Sequence, residues 1–234
     1  MTITIPSRAR VLGLVTLSCI LGVLEAQAQT AKTASATVDT FVVVVPRRPV
    51  AEVNKGIATI KEVRSNAQQR LDRVKEEVRT IESLIATREK DLEAMEGRLD
   101  TLDSEKDANE IQSLQQKITL LEKFKDLLEL RKEVREGEVR SIQATIAFAE
   151  AQETFLTEEA EFTKKCTERD AFAKKPSSPA DLAAADIILK KLEGELLQKW
   201  EKALDLHEES VSADQDLLGL SKRLGEVQAA FHAP

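Results

Sequence analysis

The stretch DLAAADIILKKLEGELLQKWEKALDLHEESVSADQDLLGLSKRLGEVQAAF, residues 181–231, runs on a seven-residue clock. From Leu182, steps of seven reach Leu189, Leu196, Ala203, Ser210, Leu217, Leu224 and Phe231. The companion series is Ala185, Leu192, Lys199, Leu206, Ala213, Leu220 and Val227. Side chains at these spacings form one stripe on a helix, and a stripe kept over many heptads is buried against other helices. A further line, Leu197, Leu204, Val211 and Leu218, recurs by sevens beside the main seam, with Trp200 between them. A helix apolar on two sides is expected to have two neighbours, as in a three-helix bundle or a hairpin that meets a second copy.

Upstream, Lys174-Lys175-Pro176-Ser177-Ser178-Pro179 is a break, with residues 174–178 between helices. Ser178 suits a helix cap, Pro179 a first helical position, and Asp181 the positive helix end. A third long helix is therefore expected over 179–234. Before the break, residues 49–173 read as a helical hairpin. Its first helix starts at Pro49, with a seam of Ile57, Arg64, Leu71, Val78, Ile85, Leu92 and Leu99. Ile60, Ala67, Val74, Ile81, Arg88, Met95 and Leu102 accompany it. The two seam arginines either fix register or lay their stems flat and raise their heads to water.

The clock halts over residues 103–110 and restarts out of phase at Ile111. A polar run with a phase jump predicts that the chain reverses there, although no glycine or proline marks a turn. The alternative is one unbroken helix over 49–173, which at about 1.5 Å per residue would approach 190 Å. Past the jump, one line holds Ile111, Leu114, Ile118, Leu121, Leu128, Val139, Ile142, Ile146, Ala149 and Leu156. Leu120, Phe124, Leu127, Val134, Phe148, Phe155, Phe162 and Cys166 form a second, roughly 110° around the helix. The expected fold is all-α: a long antiparallel coiled-coil hairpin plus a third long helix, a rod on the order of 80 Å.

The N-terminus carries a different signal. Arg8 and Arg10 precede an apolar run from Val11 to Leu24, and Ala26-Gln27-Ala28 is a small-x-small cleavage site, so residues 1–28 read as a signal peptide. The run is shorter than the roughly 20 residues of a spanning helix, so no membrane span is expected after cleavage. The chain reads as exported, to a bacterial periplasm. Residues 29–48 read as a small, polar linker with a short strand at 40–45. Phe41, Val42, Val43, Val44 and Val45 give the one strong β signal, closed by Pro46. A lone strand leaves backbone groups unpaired. The run either adds to a partner's sheet edge, pairs with its own copies, or covers the bundle's end.

The chain carries a formal charge of -7. Losing residues 1–28 removes two cations, Arg8 and Arg10, and one anion, Glu25, which moves the charge from -7 to -8. An acidic surface argues against nucleic acid and anionic lipid as partners. Aromatics are 3% and charged residues 32%, which suits long packed helices better than an enzyme's core and site loops. No catalytic, cofactor or metal constellation is read from the sequence. His207 opens His207-Glu208-Glu209-Ser210-Val211, where a zinc-protease helix would need a second histidine in place of Val211. With Cys19 in the signal segment, Cys166 remains alone, either buried as a small apolar residue or bridged to another chain.

An exported strand followed by long helices resembles, in layout, the Skp family of periplasmic holdase chaperones. That resemblance implies trimers joined by short strands, with helical arms that grip unfolded clients. The chain departs from the family in lacking a returning C-terminal strand, in its third long helix and in its acidity. The expected hairpin tip partly resembles that of efflux adaptors that dock on TolC-like channels. Arg98 and Leu102 stand in place, and Asn109 stands where those carry serine. The resemblance implies an accessory hairpin docking on an envelope channel through Arg98, Leu102 and Asn109. The sequence reads as a scaffold, spacer or assembly partner, with other envelope proteins or further copies of itself as partners.

Overall fold

Eight residues without glycine or proline separate the first two helices, and aspartate supplies what a glycine turn would. The Asp103 N–H donates to Asp107 Oδ2 at 3.0 Å. The Asp107 N–H returns to the Asp103 carbonyl at 2.9 Å. Asp107 then stands just before the next helix, where aspartate is favoured because it satisfies unpaired donors. The structure, a computed structural model, describes residues 45, 47–104, 106–174 and 179–232. It is an all-helical bundle: α1 spans Val50–Leu99, α2 Ala108–Ala173 and α3 Pro179–His232. No strand occurs among the described residues. No described helix is long and apolar enough to cross a membrane.

The chain divides into two compact units. Unit 1 holds the described residues up to Val50 together with 161–195, and unit 2 holds 51–160 and 196–232.

In unit 2 a ladder of ion pairs links α1 to α2. Glu89 meets Lys125 at 3.0 Å, Glu82 meets Lys132 at 2.8 Å, and Glu77 meets Arg135 at 2.9 Å. Arg64 meets Glu153 at 2.9 Å. Numbers fall on one helix as they rise on the other, so these segments run antiparallel. Beneath the ladder Leu71, Val74 and Ile142 are buried, with Ala67, Val139 and Ile146 against them. The seam arginines keep carboxylate partners at the edge of the packing: Arg64 holds Glu153, and Arg88 reaches Asp91 at 2.8 Å while lying over the Phe124 ring. Burial pushes the Glu138 carboxyl up, but hydrogen bonds from Arg70 and Arg135 outweigh it and hold it below the usual range.

The second line of α2 meets α3 at Phe148 and Phe155. Phe155 packs on Trp200 with ring centroids 5.1 Å apart, and Phe148 on His207 at 4.9 Å. Glu158 pairs with Lys199 at 3.5 Å and Glu133 with Arg223 at 3.6 Å, again in antiparallel order. At Gly137 a Cβ would sit 2.9 Å from Leu220 Cδ1, so the missing side chain lets Leu220 close on α2. Leu196 and Ala203, on the main seam of α3, are 1% and 2% exposed.

Unit 1 is smaller and more polar inside. Phe162, Cys166 and Leu189 are buried, and so are Thr163, Arg169 and Glu193. Arg169 donates from Nε to Asp186 Oδ1 at 2.8 Å and from Nη2 to Oδ2 at 3.4 Å. Such a two-pronged guanidinium–carboxylate contact fixes geometry as well as charge.

Candidate functional site

Two features are chemically distinctive: a polar clasp in unit 1 and an open apolar line in unit 2. The clasp fastens the chain that precedes α1. The Val45 N–H donates to Glu193 Oε1 at 3.1 Å. Arg47 Nη1 reaches Asp170 Oδ2 at 2.6 Å. Lys190 meets Glu193 from the other side at 2.9 Å. Glu193 is thus a buried carboxylate satisfied by a backbone donor and a lysine, the arrangement that makes a buried charge tolerable. Val45 is half-buried in a bend. Phe41, Val42, Val43 and Val44, with the rest of the strand expected at 40–45, lie outside the described residues, as does the signal segment 1–28.

Cys166 sits in the same unit with 0% exposure and a free thiol. Burial pushes its pKa up, Arg47 opposes the rise, and Asp170 and Glu193 add to it. The thiolate is the reacting form, so a buried, protonated thiol is slow. A bridge between two chains would first require unit 1 to open around it. In a Cys19→Ser background, a thiol reagent is expected to modify Cys166 at least about 100-fold more slowly in buffer than in denaturant, because reaction waits on local opening. Equal rates would overturn the burial.

Arg98, Leu102 and Asn109 lie around the turn. Arg98 is exposed and ion-paired with Glu110. Leu102 is half-buried, its N–H donating to the Leu99 carbonyl at 3.3 Å. Asn109 is exposed in the first turn of α2. Arg98 is bound to the residue next to Asn109, so the first turn of α2 faces the last turn of α1. Cys166 and Val45 belong to unit 1.

The open line lies on α3. Leu197 is 42% exposed, Leu204 36%, Val211 42% and Leu218 59%. The sequence shows this line, yet the second neighbour expected for it is absent among the described residues. A two-sided pattern cannot say whether its second face is met by the same chain or by another. The pairs Arg169–Asp186 and Val45–Glu193 had no sequence signal, because each joins residues that no repeat relates. His207 spends its ring on Phe148. Among the described residues no group of three or more His, Cys, Asp or Glu could hold a metal ion. An open recess between α2 and α3 is bounded by Gly137, Arg140, Glu209, Ser212, Ala213 and Asp216. Comparison with protein-family models, curated proteins and solved structures finds no match to this chain.

Proposed function

We propose that this protein is a non-catalytic, exported coiled-coil protein that holds or spaces other components of a bacterial cell envelope. In this reading α1 and α2 form a coiled-coil hairpin with α3 alongside, the signal segment is removed after Ala28, and the mature protein works in the periplasm. The observation that carries it is the way the chain spends its apolar side chains. Helices of 50, 66 and 54 residues bury one set in seams and leave another set outside at seven-residue spacing. A fold of that kind offers long faces to other helices. The valine run at 40–45, held at its downstream end by Glu193, is the second candidate contact.

A holdase chaperone is the second reading. Its support is the exposure of Phe172 at 54%, Ile187 at 72% and Ile188 at 56%, side chains able to touch unfolded clients without a fixed register. A pull-down from native envelope extract, with and without residues 40–45, separates the two. A scaffold is expected to retain one or two stoichiometric partners, at least one of them lost on the deletion. A broad set of unfolded proteins, bound with or without the strand, would replace the scaffold reading by the chaperone.

A further inference from the structure

We propose that the face of α3 formed by Leu197, Leu204, Val211 and Leu218 receives an amphipathic helix of another protein, its aliphatic stripe bordered by lysine and arginine. The inference rests on the scaffold reading and names the chemistry of the partner.

The spacing selects a helix. Steps of seven residues place these side chains about 10.5 Å apart in one line, roughly 32 Å from first to last. That line matches the knobs of a partner helix with the same repeat, while an extended strand presents side chains on one face every two residues. The exposure is sustained along the whole line, from 36% at Leu204 to 59% at Leu218. Single exposed leucines need no explanation; a register of them over three heptads does.

The borders select the charge. One edge of the line carries Glu201, Glu208, Gln215 and Lys222, and the other carries Trp200, His207 and Asp214. Glu201 and Glu208 are exposed and make no ion pair among the described residues. Acids outnumber the one lysine, and the chain as a whole carries -7. A second copy would bring the same borders, which carry Glu201, Glu208 and Asp214 against Lys222, so like charge on balance chooses against such a pair. A helix bordered by lysine and arginine meets those glutamates with opposite charge. An anionic bilayer is disfavoured for the same reason as a second copy.

Trp200 provides the reporter. It is the one tryptophan of the chain and lies one helical turn from both Leu197 and Leu204. The experiment titrates the purified chain with a tryptophan-free synthetic helix about four heptads long, leucine on its stripe and lysine or arginine at its borders. A matched peptide with glutamate borders is the control. The basic peptide is expected to shift Trp200 emission saturably and to weaken with added salt, while the acidic peptide leaves it unchanged. The pair Leu204→Asp and Val211→Asp should weaken the basic peptide by at least about tenfold with the helix signal in circular dichroism intact. Leu218→Asp, at the most exposed position, should weaken it less. No saturable shift, or equal binding to the paired variant, overturns the proposal. So does a dimer of the chain, seen by sedimentation, that the same pair abolishes. If envelope partners are retained in full by the paired variant, the scaffold reading stands and this face is not where they dock. A broad set of unfolded clients removes the scaffold reading whatever the peptide does.

Discussion

Leu196→Asp destabilises unit 2 by about 4 kcal/mol or more, enough to melt α3 away from α2 over 196–232. Leu196 is 1% exposed at the head of the α3 seam in that unit. Truncating a buried leucine alone costs about 2–5 kcal/mol. A carboxylate in its place must also be desolvated or protonated, which adds to that cost. Thermal melting followed by circular dichroism reads the effect, with Leu218→Asp as the comparison. Leu218 is 59% exposed, and surface substitutions stay within about 0.5 kcal/mol. The two leucines lie on one helix, so propensity cancels and burial is what separates them. Equal melting of the two variants would mean that the main seam of α3 is open to water.

Phe162→Ala is expected to cost about 3–5 kcal/mol, the range for deleting a buried aromatic side chain. Phe162 is 1% exposed, among the largest fully buried side chains, and belongs to unit 1. Hydrogen exchange should therefore lose protection first over 161–173 and 179–195, with the α1–α2 segments of unit 2 retaining theirs. The Arg169–Asp186 pair cannot replace the lost packing, because Asp186 is 30% exposed and its charge is partly screened. Uniform loss of protection across both units would show that they unfold as one. No loss anywhere would show that Phe162 is not packed as described.

The all-helical character and the three helices were legible because they rest on repeats. Leu189, Leu196 and Ala203 lie on one heptad series and are buried as that series requires. The seam of α1 was equally plain at Leu71 and Val74. The turn was less legible. Its reversal depends on Asp103 and Asp107 bonding each other's backbone, which glycine and proline counting does not detect. The α3 line from Leu197 to Leu218 was visible as apolar, but periodicity reports hydrophobicity and says nothing of what covers it. The clasp was not legible at all. Glu193 reads as one of many surface acids until Val45 and Lys190 are brought to it.

The ion-pair ladder of unit 2 has a weakness of its own. Glu82 and Glu89 are seven residues apart on α1, and Lys125 and Lys132 are seven apart on α2. Sliding one helix past the other by a heptad would set Glu82 beside Lys125 or Glu89 beside Lys132, again opposite charges. For these two rungs charge is therefore degenerate between neighbouring alignments. The Glu77–Arg135 and Arg64–Glu153 rungs are not, since the same slide would set Glu77 beside Leu128 or Ile142 and Arg64 beside Ile146 or Ala160. Selection falls to features that occur once. Gly56 leaves room for Leu156, where an added Cβ would stand 3.2 Å from its Cδ1. The aspartate-closed turn sets the length of chain joining the helices. Register along this pair is held where the repeat is broken.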